Sequence, residues 1–422
     1  MLDLKWVREN PEAVRRALAA KGVKFDLQEL LKLDSERRTS LQQVETLKAD
    51  RNKANDEVAQ FKKAGQHDKA QSLISSLKDS SQKISEIDKL VECISIKIDS
   101  FLYIIPNIPH ESVPVAEGPK GNQVVRQWGE PKTLDRGRDQ LDLGEGLGWF
   151  SMSRGSKISG SGFPVYRGFG ARLERALINF MLDFHLTRHG YTEIWPPALV
   201  NRQSMTGTGQ LPKFEEDMYR LRDEDYFLVP TAEVPVTNLL RDDILEEKDL
   251  PVKFAAYSPC FRREAGSYGK DTRGLSRVHQ FDKVEMVKFV KPEDSQDELE
   301  SLTANAEAIL QALELPYRVV LLGSGDLSFA AAKCYDLEVW APVSQKWFEV
   351  SSCSTFGDFQ ARRMNVRFRR EKTQKLEFVH TLNGSGVALP RTVLCLLENL
   401  QPQDENPENF PKALRPYLKS LL

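Results

Sequence analysis

The chain has 422 residues, 40% of them hydrophobic and 28% charged, which is enough for two or three domains around a sizeable core. Its 59 Lys and Arg against 61 Asp and Glu leave a net charge of −2. That excludes binding nucleic acid through bulk positive charge, but not through a local basic surface. A charged N-terminal stretch and the lack of any run near the ~20 apolar residues of a membrane helix point to a cytoplasmic protein with no membrane segment.

Five scattered cysteines (Cys93, Cys260, Cys334, Cys353 and Cys395) show no CxxC spacing. They read as reduced, small buried residues, with neither a disulfide framework nor a zinc site.

The first strong signal runs from about Asp26 to Tyr103. Leu33, Arg37, Ser40, Val44, Leu47, Arg51, Ala54, Val58 and Phe61 follow a four-three spacing. A second series follows it from Ala70 through Leu73, Leu77, Ser80, Ile84, Ile87, Val91, Ile94 and Ile98 to Phe101. The 3.5-residue repeat predicts a coiled-coil seam. Ala64 to Asp68 between them carries a glycine suited to ending one helix and an aspartate suited to starting the next. So short a turn makes the two helices antiparallel, and about 35 residues each gives a hairpin roughly 50 Å long. A dimerisation or spacer coiled coil fits this pattern, and so does a ruler that touches a long partner. Lys53, Lys62, Lys63 and Lys69 near the tip suit phosphates as well as they suit solvent.

Pro106, Pro109 and Pro114 break the helix, and the stretch to about Lys132 reads as a linker. Beyond it, an amphipathic helix at Arg172 to His189 alternates with β-branched and aromatic runs. These are Tyr226 to Val229, Phe254 to Tyr257, Val284 to Val290, Tyr317 to Leu322 and Tyr335 to Trp340. Long variable connections predict an α+β fold with an antiparallel sheet flanked by helices. Gln360 to Arg370, with five arginines, reads as a basic strand that could touch RNA, although a solvated or salt-bridged strand fits better.

The densest constellation is Pro259-Cys260-Phe261-Arg262-Arg263-Glu264-Ala265-Gly266, a Gly-rich loop through Gly269, Lys270, Asp271, Arg273 and Gly274, and then Arg277 to Glu285. Two strands joined by a basic loop fit this pattern. Alternation puts Arg262 with Glu264, and Arg277 with His279, Phe281, Lys283 and Glu285. Arginines, an aromatic ring and carboxylates on one face suit a nucleotide and a charged amino acid.

These residues resemble motif 2 of the class II aminoacyl-tRNA synthetases and, more narrowly, the bacterial-type seryl-tRNA synthetase family. The resemblance spans nearly the whole chain. The hairpin looks like that family's tRNA-binding arm. The helix 172–189 with Tyr191 to Pro197 is similar to motif 1, which forms a homodimer interface. Asn383-Gly384-Ser385-Gly386 leading to Arg391 looks like motif 3. The implied organisation is a tRNA-binding domain with its coiled-coil arm at 1–108, a linker leading into the catalytic domain at 109–165, and a class II catalytic domain at 166–422.

The resemblance implies activation of L-serine with ATP and Mg²⁺, then transfer to tRNA(Ser) and also tRNA(Sec). It places Thr231, Ala232 and Glu233 at the serine, with Glu285 holding its amino and hydroxyl groups and Ser385 as a further contact. Arg262 would bridge the serine carboxylate and α-phosphate, Glu264 would sit near the adenine, and Arg277 at the γ-phosphate. Phe281 and Arg391 would cover the two adenine faces. Glu349, Val350, Ser351 and Ser352 would form the ATP segment, with Glu349 and Ser352 as Mg²⁺ ligands. Arg263 belongs to the same ATP-binding tripeptide, although alternation turns its side chain away. Tyr268 and Lys270 stand in the motif 2-like loop where composition varies, which leaves acceptor-stem contacts open.

Two rivals are a synthetase-like paralogue and a structural coiled-coil protein. An intact arm argues against a carrier-loading paralogue. The full set of site residues argues against a binder without catalysis and against a purely structural role.

Overall fold

A computed structural model describes residues 1–134, 136–264 and 273–419. Ala265, Gly266, Tyr268, Gly269, Lys270 and Asp271 lie outside the described residues. The chain forms two units, one made of Leu2–Leu18 with Val23–Ile105 and the other mainly of Pro106–Leu422.

In the first unit the predicted hairpin is α1 (Leu27–Lys63) and α2 (His67–Ile104), of 37 and 38 residues, about 55 Å each at 1.5 Å per residue. Asp26 caps α1 by accepting from the N–H groups of Gln28 and Glu29 at 3.0 and 3.1 Å. Gly65, at φ +71°, makes the reversal that an L side chain disfavours. Every position of both seams is buried or half-buried, including Arg37, Ser40 and Arg51. Asp34, fully buried, is held by Arg8, Arg37 and Arg38. Unlike the other four cysteines, Cys93 is exposed, on the outer face of α2.

The second unit is built on eight strands: β1 (Gln123–Trp128), β2 (Thr192–Ile194), β3 (Val252–Phe261), β4 (Gln280–Val290), β5 (Tyr317–Leu321), β6 (Lys333–Ala341), β7 (Lys346–Gly357) and β8 (His380–Ala388). Their spatial order is β1-β5-β6-β7-β8-β4-β3-β2, antiparallel except for the β2–β3 pair. Helices α3 (Phe169–His189), α4 (Glu233–Thr237), α5 (Ser295–Ala312), α6 (Phe359–Met364) and α7 (Leu389–Leu400) flank it. Leu173, Leu177, Leu302, Ile309 and Leu394 lie in the main core with Val284, Met286 and Val319 of the sheet, because one apolar stripe per helix meets one apolar sheet face.

Two readings are corrected here. The stretch read as a linker contains β1, whose backbone pairs with β5 from Gln123↔Leu321 to Trp128↔Tyr317. Gln360 to Arg370 is not one strand: α6 carries Arg362 and Arg363, and only Arg367–Arg369 is extended. Two of its arginines are ion-paired, Arg362 with Asp358 and Arg370 with Glu247, Glu293 and Glu377. Among the described residues no helix is long and apolar enough to cross a membrane.

Candidate active site

β3 and β4 pair over ten residues, from Val252↔Phe289 to Phe261↔Gln280. This long antiparallel pair sets the positions at its open end, where Arg262 and Glu264 leave β3 and Arg277 approaches β4. The Arg262 N–H donates to the His279 carbonyl at 2.9 Å and continues the pairing one step. The Arg262 guanidinium lies 5.2 Å from the centre of the Phe281 ring and donates to the Pro230 carbonyl at 3.3 Å.

Arg262, Glu264, Arg277, Phe281, Glu349 and Arg391 line one cavity, with Val350 and Ser385 also in its wall. Glu264 is in the left-handed region at φ +50° and its carboxylate accepts from Arg277 Nε. Arg391, in the first turn of α7 beside Pro390, donates to the carbonyls of Ser276 (3.0 Å) and Glu349 (2.8 Å). Three guanidinium groups and a ring face one space, an arrangement suited to a nucleotide polyphosphate.

Arg262, Lys283, Glu349 and Ser385 also line a second, larger cavity of about 410 Å³, with Thr231, Glu233, Ser352 and Asn383. A buried network underlies it. Lys283 Nζ donates to Thr231 Oγ1 at 2.8 Å and is paired with the Glu285 carboxylate. Thr231 Oγ1 donates to Glu285 Oε2 at 3.1 Å, and Asn383 Nδ2 to Glu285 Oε1 at 2.7 Å. Glu233 accepts from Gln360 Nε2 at 2.6 Å, and Gln360 Oε1 accepts from Thr381 Oγ1 at 2.7 Å. Burial, and then the Glu285 charge, push the Glu233 carboxyl up to about 7, against the bond from Gln360 and the charges of Lys283 and Arg262.

Asp336 faces Ser352 across the β6–β7 pair. Burial, and then the charge of Glu349, lift its carboxyl to about 8. Among the described residues no cluster of three His, Cys, Asp or Glu could hold a metal. The donor set is two carboxylates, Glu349 and Asp336, with the Ser352 hydroxyl. These are hard oxygens of the kind Mg²⁺ takes while keeping several waters.

Most residues singled out from the sequence meet at these two cavities, and four do not. Arg263 turns away and donates to the Glu216 carbonyl at 2.6 Å. Ala232 packs in the core with Val236 and Val287. Ser351 is buried and donates to the Ser385 carbonyl at 2.6 Å, so it sets a wall residue without lining the space. Glu285 is fully buried beneath the cavity and saturated by Lys283, Thr231 and Asn383.

His279 is also displaced from the site face. It precedes β4, so strand alternation does not govern it. Its ring packs on Phe163, 5.3 Å between centroids, and its Nδ1 lies 3.0 Å from the Arg262 carbonyl. Lys283, Asn383, Asp336 and Gln360 were missed as site residues. Lys283 shares the alternation of Phe281 and Glu285, and Asn383 opens the Asn-Gly-Ser-Gly run. No local signal marks Asp336 or Gln360.

Two family models match: the seryl-tRNA synthetase N-terminal domain over residues 1–109, and the tRNA synthetase class II core domain (G, H, P, S and T) over residues 213–400. The serine–tRNA ligase of Pelotomaculum thermopropionicum is 55% identical over 422 residues, 100% of this chain and 99% of the relative. That of Thermodesulfovibrio yellowstonii is 52% identical over 420 residues, 99% of each. Among solved structures, seryl-tRNA synthetase from Pyrococcus horikoshii complexed with ATP superposes with a TM-score of 0.92 at 39% identity, over 99% of this chain and 98% of that one. The M. kandleri SerRS solved in complex with A. aeolicus tRNASec is 19% identical with a TM-score of 0.60, over 85% and 69%, and shares the fold. With both family models matched and relatives more than half identical over its whole length, the chain belongs to the seryl-tRNA synthetase family of class II aminoacyl-tRNA synthetases.

Proposed function

We infer that the chain is an ATP-dependent serine–tRNA ligase, which forms seryl-adenylate and transfers the seryl group to the 3′ end of tRNA(Ser), and also of tRNA(Sec). The observation that carries this reading is the meeting of two cavities at Arg262: one suited to a nucleotide, the other bordered by the buried Glu233 carboxylate, with Glu285 beneath it, and suited to an ammonium group.

In the first step the serine carboxylate oxygen attacks the α-phosphorus of ATP and diphosphate leaves with the bonding electrons. Arg262 bridges the two reactants, Arg277 takes the terminal phosphate, and Phe281 and Arg391 enclose the adenine. Glu264 sits near the adenine, with Glu349, Val350, Ser351 and Ser352 as the ATP segment. Such a step needs positioning and charge neutralisation more than an acid–base pair. Glu349 and Ser352, with Asp336 beside them, would hold Mg²⁺, which supplies further neutralisation of the phosphates when bound.

Serine is taken up by Thr231, Glu233 and Ser385. Glu285 acts from below, through Thr231 and Lys283, by keeping the chamber polar. A hydroxyl-binding site disfavours alanine because its buried polar groups would be left unpaired. The hairpin reads the tRNA, and the homodimer brings one subunit's arm to the other's site. Trp195, 77% exposed after the motif 1-like helix, fits a surface covered by a second copy.

The test is ATP–diphosphate exchange with each of the twenty amino acids, then charging of total tRNA. Serine alone should support exchange, and charging should be confined to serine-accepting tRNAs. Exchange with a different amino acid, or with none, overturns the reading.

A further inference from the structure

One wall of the amino-acid chamber is held in an unusual way. Ser328, Phe329 and Ala330, in the loop ahead of β6, line the larger cavity together with Thr231, Glu233 and Ser385, and none of the three lines the nucleotide cavity. The loop belongs to no strand or helix, so its backbone carbonyls need donors from elsewhere.

Two residues supply them. Lys21 Nζ donates to the carbonyls of Ser328 at 2.9 Å, Phe329 at 3.3 Å and Ala331 at 2.8 Å. Asn107 donates its N–H to the Phe329 carbonyl at 3.0 Å, and its Nδ2 to the carbonyls of Ala330 at 2.9 Å and of Phe356, in β7, at 2.7 Å. Four consecutive carbonyls are thus clasped by residues that line neither cavity. Lys21 lies 307 residues from Ser328, just after the helix Pro11–Ala20, and Ala19–Gly22 packs with Pro106–Leu422 and not with the hairpin unit.

A lysine ammonium has three N–H donors, and three carbonyls take them. Ordering so flexible a side chain costs entropy that a solvated lysine avoids, so the charge-assisted bonds hold the loop to one backbone path. Side-chain packing completes the wall. Phe329, 5% exposed, sits with its ring 5.7 Å from that of Phe359 and 6.3 Å from that of Phe214, and the Lys213 ammonium is 5.1 Å from its centre.

We propose that Lys21 is a positioning residue for serine binding: it fixes the Ser328–Ala331 wall, and with it the width of the amino-acid chamber, without touching either substrate. This deepens the ligase reading above and rests on it. Without the ammonium, the carbonyls of Ser328 and Ala331 lose their donor, the loop must turn them toward water, and the chamber loosens. The nucleotide space, which the loop does not border, is left as it was.

The test uses the full-length protein. Lys21→Met keeps the apolar stem and removes the ammonium, Lys21→Arg keeps charged donors, and Ala330→Val fills the chamber from the same wall with the clasp intact. Each is assayed by serine-dependent ATP–diphosphate exchange with serine and ATP varied separately, beside its thermal unfolding. In Lys21→Met the KM for serine should rise roughly 10-fold, as for loss of hydrogen bonds to a charged group. The kcat and the KM for ATP should stay within about twofold, the pattern of lost ground-state binding for one substrate alone. Lys21→Arg should recover part of the rise, and Ala330→Val should raise the KM for serine with the same selectivity. If Lys21→Met does not fold, Lys21→Gln, which keeps an amide donor, takes its place with the same expected split. An unchanged KM for serine in the Lys21 variants overturns the role, and so does one in Ala330→Val, which would remove the wall from the amino-acid space. A fall in unfolding midpoint with serine and ATP affected alike also overturns it, by assigning Lys21 to the fold alone. If the unmodified protein shows no serine-dependent exchange, the ligase reading fails, and the role with it.

Discussion

Glu233 offers the sharpest perturbation. It is 7% exposed, and its carboxyl titrates at about 7 against 4.5 for the free side chain, first because burial disfavours the charge and next because Glu285 repels it. The folded chain thus binds this proton more tightly than the unfolded chain does. The stability associated with it is complete below about pH 4.5 and is lost as the pH rises through about 7. The displacement corresponds, at about 1.4 kcal/mol per pH unit, to about 3 kcal/mol withdrawn from the folded state at pH 8. Glu233→Gln keeps an oxygen for the Gln360 amide and removes the charge. It should therefore be more stable than the parent by up to about 3 kcal/mol at pH 8, and by little at pH 5, while binding serine poorly. Urea unfolding of both proteins at pH 5, 6.5 and 8, with serine KM from exchange, measures both effects. A stability difference that does not grow with pH would refute the reasoning.

Other outcomes follow from the same geometry. Glu285→Ala strands the buried Lys283 ammonium and should cost about 3–5 kcal/mol of stability as well as exchange activity; Glu285→Gln, which keeps one acceptor oxygen but no counter-charge for Lys283, should lose exchange with a smaller fall in unfolding midpoint than Glu285→Ala. Deleting residues 35–95 should spare exchange and abolish tRNA charging; unchanged charging would remove the arm from the account. Glu349→Gln should raise the Mg²⁺ concentration needed for half-maximal exchange, read by titration, while serine affinity by calorimetry is unchanged.

How much was legible depends on whether the signal is local. The hairpin was readable to within a residue or two because a 3.5-residue repeat needs only its own chain, and even its polar seam members, Arg37, Ser40 and Arg51, are shielded where the spacing put them. β3 and β4 were readable from alternation. That logic held for Phe281 and Lys283 and failed at His279, one residue before the strand begins. β1 escaped notice because it is a largely exposed edge strand, held by backbone pairing with a partner strand nearly 200 residues away. α6 was misread because six helical residues amid arginines carry no usable period. For the site, sequence placed the arginines and the ring, whose chemistry is plain from residue type. It did not separate Glu285, sealed under the floor, from Glu233, which borders the cavity, since burial is a tertiary quantity. Gln360 and Asp336 act through partners distant in sequence.

The charges around the amino-acid chamber also constrain how serine enters. Glu233 and Glu285 are countered from within by Lys283, and Arg262 stands at the junction, where a carboxylate would meet it. The free site therefore holds one carboxylate whose ionisation is disfavoured by burial and by its neighbour. An arriving ammonium supplies the missing positive charge and should draw the Glu233 carboxyl back toward its ordinary range. With that group near 7 in the free protein, serine binding at pH 7 should release about half a proton, and at pH 9 close to none from this group. Calorimetric titration of serine in two buffers of different ionisation enthalpy reads the number directly, and Glu233→Gln should bring it to zero. Proton uptake at pH 7, or release that persists in Glu233→Gln, would show that the ammonium is held elsewhere and that the carboxyl's displacement serves only the fold.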